Sequence, residues 1–180
     1  MTVMGHTVIQ VPVPPLEPLV RGHLASRVPP VLPSDSGVAC AHVTLLGPFV
    51  SEHDVDDTLM AELTDFFARM SPFAYELVDV RRFPDGTVYL APHPEAPFQR
   101  LTEDLAAKYP AWPPYGGAFP DVIPHVSLGS TSLGEMQTTL ASSLPVPVRA
   151  AEAHLTWWST TSVRTLARFP MGGATTGSGA

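Results

Sequence analysis

Apolar runs and amphipathic stretches alternate along the first half of the chain. Runs rich in β-branched or aromatic residues and ended by Pro or Gly predict strands, over residues 6–13, 37–46, 73–83 and 87–90. Stretches with an apolar side chain every three or four residues predict helices, over residues 16–25 and 55–70. Between the last two predicted strands, Pro84-Asp85-Gly86 has the composition of a hairpin turn.

The second half of the chain has a similar rhythm. Its predicted helices cover residues 96–109 and 133–144, and its predicted strands cover 122–128, 146–158 and 162–169. The pattern predicts an α+β fold made of two β-α-β-α-β units related by a pseudo-twofold axis. Residues 1–171 are expected to form one domain of two intimately packed lobes. Residues 172–180 are Gly, Ala, Thr and Ser with nothing to bury, which predicts a flexible tail.

The repeat is clearest in two matching tetrapeptides. His42-Val43-Thr44-Leu45 is echoed by His125-Val126-Ser127-Leu128 roughly 80 residues later. Side chains alternate along a strand, so the imidazole and the hydroxyl of each motif share one face, and the aliphatic side chains share the other. A pseudo-twofold arrangement would bring the two motif strands side by side. One groove would then carry both imidazoles and both hydroxyls.

Two histidines can divide the proton transfers of phosphodiester cleavage between them. A neutral imidazole accepts a proton from the attacking oxygen, and a protonated one donates a proton to the leaving oxygen. The hydroxyls of Thr44 and Ser127 can donate hydrogen bonds to the non-bridging phosphoryl oxygens as their charge develops. No carboxylate accompanies the histidines at ligand spacing, and the single Cys40 cannot make a Cys-rich zinc site. We therefore expect no metal, and either histidine could be the base.

Paired His-x-Thr/Ser motifs at this spacing resemble those of the 2H phosphoesterase superfamily, which includes bacterial 2′,5′-RNA ligases, cyclic nucleotide phosphodiesterases and tRNA-processing cyclic phosphodiesterases. Further segments resemble the actinobacterial-type proteins labelled as the 2′,5′-RNA ligase family: HVTLLGPF (42–49), RFPDGTVYLAP (82–92), PPYGGAFPDVIPHVSL (113–128) and RFPMG (168–172). The resemblance implies a bilobal fold with a central cleft and no cofactor. It also implies a catalytic site formed by His42, Thr44, His125 and Ser127.

Aromatic residues near the motifs are candidates for binding the substrate. The segment WPPYGGAF (112–119) combines aromatic rings with a Gly-Gly pair just before the second motif, and Tyr115 is our first candidate for stacking on a nucleobase. Phe49, just after the first motif, is the second candidate. Cys40 shares the strand face of His42, which allows a thiol nucleophile as an alternative, although a small core residue is the favoured interpretation.

The charge balance bears on the partners. The chain has 10 basic and 17 acidic residues and a formal net charge of −7, so it shows no basic footprint for a long polyanion. We therefore expect a small nucleotide or cyclic phosphate as substrate, rather than long RNA or DNA. No signal-like or membrane-spanning apolar run is present, which predicts a cytoplasmic protein without a membrane partner. A monomer is expected.

Three functional hypotheses follow. The leading one is a metal-independent phosphoesterase that hydrolyses a 2′,3′-cyclic phosphate, or a small cyclic or 2′,5′-linked nucleotide. The second is reversible 2′,5′ ligation of RNA ends, which would require binding of a polynucleotide. The third is a non-catalytic module that binds small nucleotides, and the intact histidines in both motifs argue against it.

Overall fold

The computed structural model describes residues 5–173, so most of the predicted tail, residues 174–180, lies outside the described residues. Strands and helices alternate along the described chain in this order: β1 Gly5–Pro12, α1 Glu17–Ala25, β2 Leu32–Pro33, β3 His42–Leu46, α2 Asp57–Ala68, β4 Phe73–Arg82, β5 Val88–His93, α3 Ala96–Lys108, β6 Val126–Gly129, α4 Leu133–Leu140, β7 Val146–Ala150, β8 Glu152–Ser159 and β9 Ser162–Pro170. Short 3-10 turns lie at Pro14–Leu16, Glu52–Asp54 and Pro114–Gly117.

All nine strands of the described chain belong to one sheet, in the order β2-β9-β8-β1-β3-β6-β5-β4-β7. The two motif strands, β3 and β6, are antiparallel neighbours at its centre, with Val43 opposite Val126. The arrangement around them is duplicated, because β1 pairs with β3 as β5 pairs with β6. The predicted α+β class with pseudo-twofold duplicated units is therefore confirmed.

The two units exchange their last strands. β4, which follows α2 in the first unit, pairs with β5 and β7 in the second half of the sheet. β8, near the end of the chain, returns to pair with β1 in the first half. Each unit also packs a helix on the motif strand of the other unit, since α1 contacts β6 and α3 contacts β3. These exchanges tie both halves to the central strand pair.

Apolar helix faces cover the sheet as the periodicity predicts. Leu59, Leu63 and Phe67 of α2 are buried, and the Phe67 ring stacks on Phe169 of β9 with centroids 5.8 Å apart. Asp56 caps α2 by accepting a hydrogen bond from the Leu59 backbone N–H at 2.8 Å. Within the described residues, no helix has the length and apolar character needed to cross a membrane.

Three of the predicted strands begin several residues later in the structure or are divided in two. The segment predicted over 37–46 is strand only from His42, because side chains take the backbone groups before it: Gln10 Nε2 donates to Ala39 O, and Glu17 accepts from Ala41 N–H. β6 begins at Val126 rather than at residue 122, because Pro124 has no N–H to give to a ladder. The predicted strand 146–158 is split into β7 and β8, which pair in opposite halves of the sheet.

β2 falls in a segment for which the sequence pattern predicts no strand or helix. Its two residues, Leu32 and Pro33, pair in parallel with Ser162 and Val163 at the edge of the sheet. Only a partner distant in sequence makes this short segment a strand.

Candidate active site

The central strand pair presents the motif side chains on one face of the sheet. Val43, Leu45, Val126 and Leu128 are buried on the opposite face. His42, Thr44 and His125 are half-buried and Ser127 is exposed. His125 directly precedes β6 rather than lying in it. The structure thus brings the two His-x-Thr/Ser motifs together across the centre of the sheet.

Each imidazole is held by the carbonyl two residues before it. His42 Nδ1 lies 2.8 Å from Cys40 O, and His125 Nδ1 lies 2.7 Å from Ile123 O. A carbonyl oxygen can only accept, so Nδ1 is the donor in both rings. The second ring nitrogen, Nε2, is then left to exchange a proton with a ligand. The same local geometry occurs in both halves of the molecule.

The electrostatic surroundings of the two histidines differ. Burial lowers the pKa of His42 to about 4, and the nearby His125 adds to this effect. Burial also lowers the pKa of His125, but the Asp85 carboxylate acts in the opposite direction and favours its protonated form. His42 is therefore the more firmly neutral of the pair.

A tryptophan packs against His42. The ring centroids of His42 and Trp158 are 5.2 Å apart. Trp158 Nε1 donates to Gln10 Oε1 at 3.2 Å and to Thr156 Oγ1 at 3.0 Å, and Thr156 donates to Gln10 at 2.8 Å. Because Gln10 and Thr156 are buried, this network fixes the indole beside the imidazole.

Aromatic rings surround His125. Phe83 meets its ring edge-on with centroids 4.8 Å apart, and Tyr89 lies at 5.6 Å. Phe83 and Tyr89 also stack on each other at 3.9 Å. Tyr115 lies nearly parallel to His125, with an interplanar angle of 20° at 6.2 Å.

Tyr115 spans the two motifs from a strained turn. Its φ of 52° places a non-glycine residue in the left-handed region, and Gly116 and Gly117 continue with φ of 64° and 76°. Its backbone N–H donates to Gly47 O at 2.8 Å, which anchors the turn next to the first motif. The Tyr115 hydroxyl interacts with the Thr44 hydroxyl, and burial raises the pKa of this phenol to about 12. Tyr115 thus touches the first motif with its hydroxyl and faces the second with its ring.

Two cavities open on either side of this centre. The first has a volume of about 560 Å³ and is lined by His42, Trp158 and residues of α1, among them His23 and Arg27. The second, of about 550 Å³, is lined by His125, Tyr115 and further aromatic and apolar residues. Thr87 and Ser127 line both cavities, so the two meet there. Thr44 is not among the described residues that line either cavity, and its hydroxyl interacts with that of Tyr115.

Phe49, predicted to bind substrate, is not brought to this cleft. The residue is only 4% exposed. It packs edge-on against Tyr109 and Trp112, with ring centroids 5.1 and 5.5 Å away. The turn at Gly47-Pro48 breaks the strand alternation, and Phe49 enters the core.

Cys40 lies beside His42 in the lining of the first cavity but is 1% exposed as a residue. Burial raises the pKa of its thiol to about 11, so the unreactive thiol form prevails at neutral pH. This favours the core role over the nucleophile. Within residues 5–173, no three His, Cys, Asp or Glu side chains converge as a metal site requires.

Several site residues carry no signal in the sequence. Asp85 and Phe83 belong to the predicted hairpin, whose turn chemistry explains them locally, and Trp158 is typical of sheet packing. His23 and Arg27 belong to α1 and the segment after it, far from either motif. Only the strand pairing and the contact of α1 with β6 bring these residues to the cleft.

Comparison with known proteins agrees with this architecture. The 2′-5′ RNA ligase superfamily matches residues 32–162, and no curated protein sequence matches the chain. TT0787 of Thermus thermophilus has a TM-score of 0.56 and 20% identity, covering 94% of this chain and 99% of its own. E. coli LigT complexed with NADP+ has a TM-score of 0.53 and 16% identity, with the same two coverages, 94% and 99%. A structure described as a phosphoesterase has a TM-score of 0.54 and 16% identity, covering 92% and 97%.

The solved structures share the fold at low identity, and the family match carries the assignment. It includes both His-x-Thr/Ser motifs and extends over more than half of the chain. The protein therefore belongs to the 2′-5′ RNA ligase superfamily, the 2H phosphoesterases that its paired motifs predict.

Proposed function

We propose that this protein hydrolyses a phosphodiester in a small nucleotide, opening a 2′,3′-cyclic phosphate or cleaving a small cyclic or 2′,5′-linked nucleotide. The observation that carries the proposal is the matched anchoring of two imidazoles through Nδ1, at 2.8 and 2.7 Å. Each ring keeps Nε2 for proton transfer, and the two rings come from adjacent central strands. A phosphorus atom between them would have a proton acceptor on one side and a proton donor on the other.

The different surroundings support separate roles for the two histidines. His42, whose pKa is about 4, is neutral and accepts the proton of an attacking water. Burial lowers the pKa of His125 too, but Asp85 favours its protonated form, so we assign His125 as the donor of a proton to the leaving ribose oxygen. The bond from water oxygen to phosphorus forms as the bond to the ribose oxygen breaks. Because His42 gains one proton and His125 loses one, the total number of protons on the pair is unchanged by the reaction.

Hydroxyl donors near the motifs can stabilise the phosphoryl oxygens during this step. Ser127 lines both cavities and is free to donate to a non-bridging oxygen. Thr44 can also donate to a non-bridging oxygen, provided that the Tyr115 hydroxyl turns from Thr44 to the ligand or that both hydroxyls bind the ligand together. Two such donors offset the negative charge that develops on the phosphoryl group.

The second cavity suits a nucleobase. Phe83, Tyr115 and Phe119 offer aromatic faces, on which any base can stack. Structures of the fold relative E. coli LigT complexed with 3′-AMP and with ATP support a nucleotide as ligand class. The formal net charge of −7 disfavours DNA or long RNA, so the proposed substrate is short.

A substrate panel tests the proposal directly. Adenosine 2′,3′-cyclic phosphate and a 2′,5′-linked diadenosine are incubated with the protein, with its His125→Asn variant and with a His93→Asn control, and the products are separated by chromatography. His93 is exposed and lines neither cavity, so this control should retain turnover. Turnover that survives in His125→Asn, or none in the unaltered protein, contradicts the proposal. Formation of a 2′,5′ linkage from a cyclic phosphate and a 5′-hydroxyl end would instead favour ligation.

A further inference from the structure

The two cavities that meet at Ser127 have opposite charge. Among the described residues that line the first, Arg27 carries the positive charge and none has a carboxylate. The imidazoles of His23 and His42, whose pKa values burial lowers, add neutral hydrogen-bonding groups. The described lining of the second has the carboxylates of Asp85 and Asp121 and the imidazole of His125, with no Lys or Arg. In a chain with a formal net charge of −7, a cavity free of carboxylates is a local exception. We therefore expect the substrate groups on the two sides of the reacting phosphate to differ in charge as well.

Arg27 is available to a ligand. Within residues 5–173 it makes no ion pair, unlike Arg21, Arg69, Arg81 and Arg164. Of the described arginines without an ion pair, Arg27 is the one that lines a cavity of the site. A guanidinium without a partner presents a planar set of donors that matches two phosphate oxygens at once. Arg27 lies just beyond the end of α1 and lines the same cavity as His42.

His23 is seated directly on the end of the second motif strand. A Cβ added to Gly129 would lie 1.8 Å from His23 Nε2, so only a residue without a side chain leaves room for this imidazole. Gly129 has a φ of +81° and follows Ser127 by two residues. The contact holds one face of α1 against the strand that carries Ser127. The hydroxyls of Ser26 and Ser130 add further donors to the same cavity.

We propose that this first cavity is a second anion subsite, and that the substrate carries a terminal phosphate in addition to the phosphodiester that is cleaved. The inference rests on the proposed function, which puts the scissile phosphate between His42 and His125. Arg27 and His23 bind the terminal phosphate, and the aromatic cavity takes the uncharged base. Asp85 and Asp121 would repel a phosphate from that second cavity, which fixes the direction in which the substrate binds.

Three dinucleotides test the subsite: 2′,5′-linked diadenosine without a terminal phosphate, with a 5′-phosphate, and with a 3′-phosphate. Binding is measured by calorimetry with the His125→Ala variant, because His125 does not line the first cavity and its loss should slow turnover during the titration. We expect one of the phosphorylated forms to bind about 10-fold tighter than the unphosphorylated one, the usual effect of a charge-assisted hydrogen bond. An added Arg27→Gln substitution should reduce this preference to about 2-fold or less.

Arg100→Gln is the matched control, since it removes the same charge from an exposed position on α3 that lines neither cavity. Equal binding of all three dinucleotides, or a preference lost equally in both arginine variants, would overturn the subsite. Hydrolysis by the unaltered protein is measured in parallel. Turnover without any preference for a phosphorylated dinucleotide would support the proposed function and contradict the subsite. A binding preference without turnover would support the subsite and contradict the proposed function.

Discussion

The two halves of the sheet hold their histidines in the same way and surround them differently. In both, the imidazole Nδ1 donates to the carbonyl two residues earlier. On the first side His42 lies beside Trp158, in a cavity with no carboxylate among the described residues that line it. On the second side His125 has Asp85 as neighbour and aromatic rings around it.

The comparison shows how a duplicated fold can support an asymmetric reaction. The repeated backbone fixes two equivalently anchored imidazoles, and in the proposed reaction their non-equivalent neighbours separate their protonation states. A pair with identical surroundings would have no preferred direction of proton transfer. The difference between Trp158 and Asp85 therefore matters as much as the similarity of the motifs.

Removing either imidazole should have the largest effect. We expect His42→Ala and His125→Ala each to lower kcat/KM for a cyclic phosphodiester by about 100- to 10,000-fold, the usual contribution of a positioned acid or base. The double variant should lose less than the product of the two, because the pair acts as a unit. His53→Ala, at an exposed histidine of the first half, is the control in a steady-state assay. A rate near that of the unaltered protein in either single variant would remove that histidine from the mechanism.

Loss of a phosphoryl donor should cost less. Ser127→Ala and Thr44→Val each leave the proton-transfer pair in place, and we expect a fall in kcat of about 100-fold, typical of one lost donor. Tyr115→Phe tests whether the phenol shares this task, because it keeps the ring beside His125 and removes only the hydroxyl next to Thr44. Single-turnover rates would separate these effects from binding. A larger loss in Tyr115→Phe than in Thr44→Val would make the phenol the main donor on that side.

The sequence could predict the symmetric part of this comparison. The motif repeat and the alternation of side chains in a strand are local signals, and they correctly predict a pseudo-twofold sheet with the motif strands adjacent. The asymmetric part depends on long-range pairing. Trp158 reaches His42 only because β8 returns to pair with β1. Phe49 could not be distinguished from a ligand-binding ring, because its burial against Tyr109 depends on how α3 packs.

The carboxylate beside His125 should set the alkaline side of the pH profile. The kcat/KM profile is expected to be bell-shaped, rising as His42 loses its proton and falling as His125 loses its own. Burial lowers the pKa of His125 and Asp85 partly offsets this effect, so Asp85→Asn should lower that pKa further and shift the falling limb to lower pH. Activity at neutral pH should drop by about 3- to 10-fold, since less of the acid is protonated. Asp121→Asn is the control. Asp121 lines the same cavity but does not act on the pKa of His125, so this substitution should leave the falling limb in place.

The tryptophan beside His42 should act on the opposite limb, with the smallest effect. Burial lowers the pKa of His42, so Trp158→Leu, which opens one side of the ring to water, should raise that pKa toward its ordinary value. The rising limb of the profile would then move to higher pH, lowering kcat/KM by about 2- to 5-fold near pH 5 and little at pH 7. Trp157→Leu is the matched control, because Trp157 packs under the Arg164 guanidinium instead. Two results would contradict the assignment of His42 as the base. One is a shift of the falling limb in Trp158→Leu, and the other is an equal shift of the rising limb in both variants.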